Sequence, residues 1–278
     1  MSRTFARKRF GQHFLTDRQV IASIVEAISP KPGDCLIEIG PGLGALTRPL
    51  LSRAGHLHVV EIDRDIVARL RREWEWGSEK LSIHTGDALD FDFRALAGNG
   101  NTPARIVGNL PYNISTPLLF HLERCADCVI DMHFMLQKEV VDRLAARPGT
   151  ADYGRLSVMF QSRFVIDRLF DVPPESFDPP PRVDSSVVRL IPLPACELKV
   201  VNREFFSRLV RAAFSQRRKM LRNTLKGLLD ESGFSKLGIE PSARAEELSV
   251  DMYARISNAL DVFPESFCAS GFGKRDEK

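Results

Sequence analysis

Apolar and polar residues alternate along the first half of the chain with two periods, one typical of helices and one typical of buried strands. The first apolar stretch has helical spacing and predicts an amphipathic helix that ends before Pro30. Short apolar runs then alternate with helical stretches. The predicted strands are 35–39, 56–62, 81–84, 104–108 and 128–136, and the predicted helices are 43–53, 66–74, one from about 116 and one from about 138. This β-α repetition predicts a parallel sheet with helices on both faces.

The pattern changes after Arg163. Two further predicted strands, 163–172 and 185–191, flank a proline-rich loop over 173–181 and bring the sheet to seven mostly parallel strands. Beyond Pro192 and Pro194 the sequence is helical, with predicted helices at 205–214, 217–229 and 250–260. We therefore predict an α/β domain over 1–195 and a small all-helical domain over 196–278. The polar end, 271–278, is expected to be disordered.

Composition excludes several classes of protein. Hydrophobic residues make up 44% and charged residues 27%, as in ordinary globular proteins. No apolar run approaches the ~18 residues of a membrane span, and no secretory signal is recognisable, so we expect a cytoplasmic protein without a membrane partner. A mitochondrial presequence is a weaker alternative for the basic N-terminus. An odd count of five cysteines favours free thiols, and the Cys125–Cys128 pair lacks a second pair for zinc, so no metal site is predicted.

Positive charge is concentrated in two clusters, although the net charge is only +3. Between residues 203 and 226 the single acid Glu204 is outnumbered by basic residues: Arg203, Arg208, Arg211, Arg217, Arg218, Lys219, Arg222 and Lys226. The N-terminus adds Arg3, Arg7, Lys8 and Arg9. Two such clusters indicate a surface for nucleic acid. The alternative is a solvated helix face.

A glycine-rich turn follows the first predicted sheet strand. Gly40, Gly42 and Gly44 occupy every second position, with Glu38 before them. Glycines at such a turn let the backbone approach a ligand closely, at the N-terminus of the next helix. The usual dinucleotide motif is G-x-G-x-x-G, so the spacing here favours S-adenosylmethionine over a nicotinamide cofactor.

Acidic residues end the next two predicted strands. Glu61 lies 21 residues after Gly40, where a carboxylate accepts hydrogen bonds from both hydroxyls of a ribose. Asp87 follows the third strand and is placed to accept a hydrogen bond from an adenine amine. A helix-capping acid and a turn residue are the respective alternatives. In register with the glycine-rich turn, the two acids support an adenosine cofactor.

The methyl-accepting chemistry is predicted at Asn109-Leu110-Pro111-Tyr112, directly after the fourth strand. An aromatic amine is a poor nucleophile because its lone pair is delocalised into the ring. An Asn oxygen and the Leu110 carbonyl can each accept one of its hydrogens and so free the lone pair. Pro111 stiffens the turn, and Tyr112 offers a flat face for a base. The alternative is a helix-capping turn with Tyr112 in the core.

The whole set of motifs resembles the ribosomal RNA adenine N6-dimethyltransferases, and most of all the bacterial small-subunit type. The match runs from about Arg9 to Leu260. The motifs are KRFGQHFLTD, EIGPGLGALT, VVEID, GDAL, NLPYNIST, LQKEVVDRL, YGRLSV, FDPPPRVDSSVVRL and FSQRRKMLRN.

The resemblance implies a Rossmann-like class I methyltransferase fold and four methyl transfers to two adjacent adenosines near the 3′ end of 16S rRNA. It implies that His13 and Leu15 close over the cofactor, although many members have Asn in place of His13. It also implies that Phe177 stacks on the target base opposite Tyr112. Its alternative role is a core anchor for the proline-rich loop.

The resemblance further implies RNA contacts and a partner. Arg217, Arg218, Lys219 and Arg222 would bind phosphates, and Arg7, Lys8 and Arg9 would add a second contact. The expected partner of the monomeric protein is 16S rRNA in the 30S subunit or its late precursor. Three alternatives stay open: a large-subunit 23S rRNA methyltransferase of the macrolide-resistance type, an assembly factor that acts mainly by binding RNA, and a nicotinamide-dependent oxidoreductase.

Overall fold

A computed structural model describes residues 12–74, 79–97 and 103–262. The strands are β1 Phe14–Leu15, β2 Cys35–Ile39, β3 Leu57–Glu61, β4 Leu81–Thr85, β5 Ala104–Asn109, β6 Val129–Gln137, β7 Phe164–Val172, β8 Phe177–Asp178 and β9 Ser185–Pro192. The helices are α1 Arg18–Ile28, α2 Thr47–Ala54, α3 Arg64–Glu73, α4 Ser115–Glu123, α5 Lys138–Ala145, α6 Arg155–Gln161, α7 Arg203–Ala213, α8 Leu221–Thr224, α9 Glu231–Leu237 and α10 Val250–Val262.

Seven strands form one mixed sheet in the order β4-β3-β2-β5-β6-β9-β7. The five strands from β4 to β6 are parallel, and β9 joins β6 antiparallel. Four of the five residues of β2 are buried, as expected for a strand covered on both faces. The predicted mostly parallel seven-stranded α/β fold is therefore confirmed.

The first helices follow from local signals in the sequence. The Asp17 carboxylate caps α1 by accepting hydrogen bonds from the N–H groups of Gln19 and Val20. Asp63 caps α3 in the same way through the N–H of Asp65. The buried faces of α1 and α3 join the apolar core that also contains residues of β2 and β3. The sheet strands nearest the glycine-rich turn are thus held by a continuous core.

Two helix predictions need correction. Helix α2 begins at Thr47 rather than at 43, because Gly42 and Gly44 have positive φ angles that a right-handed helix does not allow. The helix predicted over 217–229 is wrong: only Leu221–Thr224 is helical. Met220 instead pairs with Arg244 in an isolated β-bridge, and Gly227 has a positive φ of 85°.

The residues cluster into two compact units. Of the described residues, the first unit contains those up to Val141 together with Val165–Pro192, and the second contains Asp142–Phe164 together with those from Leu193 onward. The chain passes from the first unit to the second after Pro192, near the predicted boundary at 195. The sequence did not predict that 142–164 would group with the C-terminal helices, and the division into 1–195 and 196–278 stays a prediction.

Two further findings bear on the class of protein. Cys125 and Cys128 are free thiols beside the 3₁₀ turn Ala126–Cys128, and burial raises the pKa of each. Such raised values disfavour the reactive thiolate. Within the part of the chain that the structure describes, no helix is long and apolar enough to cross a lipid bilayer.

Candidate active site

A cavity of about 570 Å³ lies at the carboxyl ends of the parallel strands. The order of the sheet reverses at this point, since β2 pairs with β3 on one side and with β5 on the other. Such crevices are the usual ligand sites of open α/β sheets, and the volume suits a nucleotide-sized cofactor. Most of the predicted site residues line it together: His13, Leu15, Gly40, Gly42, Glu61, Asp87, Asn109, Leu110, Pro111 and Tyr112.

The glycine-rich turn forms one wall of the cavity. Gly40, Gly42 and Gly44 have φ angles of 67°, 54° and 82°, a region that L-residues with a Cβ rarely adopt. A Cβ added to Gly42 would lie 3.3 Å from Cδ1 of Phe14. The turn therefore lets strand β1 approach closely over the cavity.

Two buried carboxyl groups, those of Glu38 and Glu61, line the cavity together with the glycine-rich turn. Glu38 is 2% exposed and accepts a hydrogen bond of 2.7 Å from the Thr47 hydroxyl. Burial raises the pKa of Glu38 to about 7, against the Thr47 hydrogen bond, and the charge of Glu61 adds to the rise. Glu38 is thus a further residue of the cavity wall, beyond those predicted as site residues. An acid inside the apolar strand CLIEI was the available signal.

Glu61 ends β3 and is also buried. Its Oε1 accepts a hydrogen bond of 2.8 Å from the Asp63 N–H. Burial raises the pKa of Glu61, an effect that hydrogen bonds from the N–H groups of Asp63 and Gly42 partly oppose. The Glu61 carboxylate is therefore fixed beside the glycine-rich turn, with hydrogen-bond acceptors at the cavity wall.

Asp87 is a turn residue that also lines the cavity. Its Oδ1 accepts a hydrogen bond of 2.9 Å from the Leu89 N–H, which makes it a turn residue. It also lines the cavity, two residues after the end of β4. One carboxylate oxygen of Asp87 therefore caps the turn, and the other can accept a hydrogen bond from a ligand.

Asn109 and Leu110 are oriented by their neighbours. The Asn109 side chain donates from Nδ2 to the carbonyl oxygen of His13 at 3.1 Å, so Oδ1 is the acceptor end of this amide. The Leu110 N–H donates to the Met135 carbonyl at 3.2 Å, and the Leu110 side chain is buried. A Cβ on Gly108 would lie 2.5 Å from the Ile39 carbonyl oxygen. Only glycine at 108 allows β2 and β5 to approach this closely.

Tyr112 lies at the end of this turn with its hydroxyl 2.5 Å from Oγ of Ser185. Burial raises the pKa of Tyr112, and the Ser185 hydrogen bond opposes that shift. The imidazole of His13 stacks on the Tyr112 ring, with centroids 5.7 Å apart and an interplanar angle of 26°. No local pattern in the sequence predicts this ring pair.

The N-terminal strand reaches the site by pairing with the proline-rich loop. Strand β1 pairs antiparallel with β8, which places Leu15 opposite Phe177. Phe177 is 4% exposed and belongs to the hydrophobic core. In this structure Phe177 therefore packs in the core and is not among the residues that line the cavity, while its predicted stacking on the target base stays a prediction. Among the described rings, the one stacked on Tyr112 is that of His13.

The predicted RNA-binding residues of the C-terminal unit are at its surface. Arg218, Lys219 and Arg222 are exposed around the start of α8. Arg217 is also exposed, and it donates to the Glu246 carboxylate at 3.2 Å and to the Ala151 carbonyl. Arg7, Lys8 and Arg9, the other predicted RNA contacts, lie outside the described residues.

Residues 3–262 match the family model for ribosomal RNA adenine dimethylase. The chain belongs to this family. A relative from Dechloromonas aromatica, called ribosomal RNA small subunit methyltransferase A, is 58% identical over 92% of this chain and 98% of its own length.

Two solved structures are similar to this member of the adenine dimethylase family. A dimethyladenosine transferase from Plasmodium falciparum has a TM-score of 0.75 at 24% identity, over 90% of this chain and 98% of that one. The 23S rRNA methyltransferase ErmE has a TM-score of 0.67 at 25% identity, over 89% of this chain and 99% of that one. The fold is thus that of the class I rRNA methyltransferases.

Membership identifies the chain as an rRNA adenine methyltransferase that uses S-adenosylmethionine. The cavity fits that cofactor. It has space for a nucleotide-sized molecule, a glycine turn that approaches without side chains, and buried carboxylates able to bind hydroxyl and amino groups. Family membership, rather than the shape of the cavity, excludes the nicotinamide alternative.

Proposed function

We propose that this enzyme dimethylates N6 of two adjacent adenosines in a hairpin loop near the 3′ end of 16S rRNA. The observation that carries the proposal is the 58% identity, over almost the whole chain, to a relative called ribosomal RNA small subunit methyltransferase A. The 23S rRNA methyltransferase ErmE shares only 25% of its residues with this chain. The alternative large-subunit target therefore has less support.

On the cofactor side, we assign Glu61 as the acceptor for the ribose hydroxyls and Asp87 as the acceptor for the adenine amine. The fixed position of the Glu61 carboxylate and its burial support the first role. We also propose that His13 and Leu15, which line the cavity at β1 and directly before it, close over the cofactor. When bound, S-adenosylmethionine supplies an electrophilic methyl group, and the protein's contribution is to hold it facing the acceptor.

On the acceptor side, Asn109 Oδ1 and the Leu110 carbonyl accept the two hydrogens of the adenine amine. The His13 carbonyl supports this assignment because it holds Nδ2 of Asn109 and leaves Oδ1 as the acceptor. Acceptance of both hydrogens concentrates the lone pair on nitrogen. Tyr112 stacks on the base, a contact worth roughly 1–3 kcal/mol per base. Alignment of the nitrogen with the methyl carbon then provides most of the rate enhancement.

We place the RNA on the basic surface formed by Arg217, Arg218, Lys219 and Arg222. Their exposure supports phosphate contacts, which position RNA without reading its sequence. The target adenine must leave its stack to enter the cavity. We further propose that the substrate is the 30S subunit or its late precursor, that the enzyme acts as a monomer, and that the reaction takes place in the cytoplasm.

The decisive experiment incubates the enzyme and cofactor with unmodified small subunits and, separately, with large-subunit RNA. Mass spectrometry of the digested RNA then locates and counts the methyl groups. We expect two methyl groups on each of two adjacent adenosines of the small-subunit RNA. Incorporation only into large-subunit RNA would refute the proposed target, and tight RNA binding without methyl transfer would favour an assembly factor.

A further inference from the structure

His13 contacts the methyl-acceptor side of the cavity at three points. Its Nδ1 lies 2.7 Å from the Pro179 carbonyl oxygen. Since a carbonyl only accepts hydrogen bonds, Nδ1 carries the proton in this contact. The His13 main-chain oxygen accepts from Asn109, and the imidazole stacks on Tyr112. The side chain and the main chain of one residue thus contact two different groups that act on the target adenine.

The spacing of the two rings leaves no room for a base between them. Stacked bases are spaced about 3.4 Å apart in a duplex. A base inserted between Tyr112 and His13 would therefore need ring centroids about 7 Å apart, and they are 5.7 Å apart. The imidazole and an adenine cannot share this face of Tyr112 while His13 stays where it is.

We propose that the His13 imidazole is a placeholder that covers the face of Tyr112 until the target adenine displaces it. This inference rests on the proposed methyl transfer to adenosine. Rotation about the Cα–Cβ bond would move the imidazole off Tyr112 and break the contact with Pro179. The same rotation leaves the His13 carbonyl on Asn109 Nδ2. His13 is accordingly a positioning residue: its ring competes with the substrate, while its main chain keeps the Asn109 amide oriented.

The side chain and the main chain of His13 are expected to have opposite effects on the reaction. Removal of the imidazole frees the face of Tyr112. The hydrogen bond to the Pro179 carbonyl then no longer has to be broken when RNA binds, so RNA should bind more tightly. We expect the KM for RNA to fall about fivefold, which corresponds to about 1 kcal/mol. The ratio of kcat to KM for RNA should therefore rise, because the main-chain contact to Asn109 remains. A residue that merely supports the structure would instead raise KM and lower kcat when truncated.

The test compares the wild-type enzyme with His13→Ala and His13→Asn, using unmodified small subunits as substrate. Each variant is assayed at a cofactor concentration that saturates it, since His13 also lines the cofactor cavity. The control is Thr16→Val, which removes the hydrogen bond from the Thr16 hydroxyl to the Ser176 carbonyl directly beside the pair of β1 and β8 but keeps the imidazole. Thr16→Val should not lower KM.

A second measurement does not depend on turnover. A hairpin with 2-aminopurine in place of a target adenosine reports stacking by loss of fluorescence. His13→Ala and His13→Asn should reach half-quenching at about fivefold lower enzyme concentration than the wild type. An unchanged or raised KM, or an unchanged midpoint, in both variants overturns the placeholder. Absence of methyl transfer by the wild type would refute the proposed function instead, so the two failures are distinguishable.

Discussion

Gly108→Ala tests the close approach of β2 and β5 that positions the acceptor site. The added Cβ would lie 2.5 Å from the Ile39 carbonyl oxygen and 3.1 Å from Cδ2 of Leu110. An ordinary van der Waals contact is about 3.5–4.0 Å, so the two strands would have to separate by about 1 Å. The obstructing oxygen belongs to the backbone and cannot rotate away.

We expect two measurable consequences of Gly108→Ala. Overpacking of this kind costs about 1–3 kcal/mol of the free energy of unfolding, measured by urea titration with circular dichroism. The turnover number should fall further than stability alone explains, by about 100-fold, because a ~1 Å displacement of the neighbouring Asn109 spoils the alignment for methyl transfer.

Gly86→Ala is the matched stability control. Gly86 follows β4 at the edge of the same sheet, and a Cβ there would meet its nearest neighbour, Cδ2 of Phe91, at an ordinary 3.9 Å. Its free energy of unfolding should stay within about 0.5 kcal/mol of the wild type. If Gly108→Ala is as stable and as active as the wild type, the steric reasoning is wrong.

Further predictions concern catalysis, pH and salt. Asn109→Ala should keep RNA affinity but lose methyl transfer about 100- to 1,000-fold in a radiolabel assay, and unchanged transfer would contradict its role. The pKa of Glu38 is raised to about 7, so its contribution to the free energy of unfolding is present below about pH 4.5 and is lost as the pH rises through 7. Glu38→Gln should remove this pH-dependent loss, which amounts to at most about 3 kcal/mol. Urea titrations at a series of pH values measure it. Burial and two neighbouring histidines lower the pKa of His58 to about 4, so its contribution to the free energy of unfolding is present above pH 6.5 and is lost as the pH falls through 4. His58→Gln should remove about 1–2 kcal/mol of that loss, after allowance for solvent screening. If the variant and the wild type lose equal stability in acid, this reasoning is wrong. Arg218→Ala and Arg222→Ala should each reduce the slope of log RNA affinity against log salt by about 1, and an unchanged slope would place the RNA elsewhere.

Much of the sheet could be predicted because its strands are signalled locally. Strands β2 and β5 are short apolar runs between turn residues, and their parallel pairing brings the glycine-rich turn and Asn109 to the same edge. The close placement of Glu61 and Asp87 follows from the same topology, since β3 and β4 are also parallel neighbours. The cofactor wall was therefore largely predictable from residue order alone.

The missed features depend on contacts distant in sequence. Strands β1 and β8 have two residues each, too few for any periodicity, and they form only because they pair with each other. The stack of His13 on Tyr112 and the core position of Phe177 follow from that pairing. The helix predicted at 217–229 failed for a similar reason, because the β-bridge between Met220 and Arg244 replaces the local helical preference.

The pairing of β1 with β8 also has a consequence for protein synthesis. Phe14 meets Asp178, so about 160 residues separate the two halves of the strand pair that covers the cavity. At about 5–20 residues per second, a ribosome needs about 8–30 s to make the intervening chain. During that time β1 has no partner strand, although β2 to β5 can already be emerging. The pair of β1 and β8 is thus completed only when nearly all of its unit has been translated.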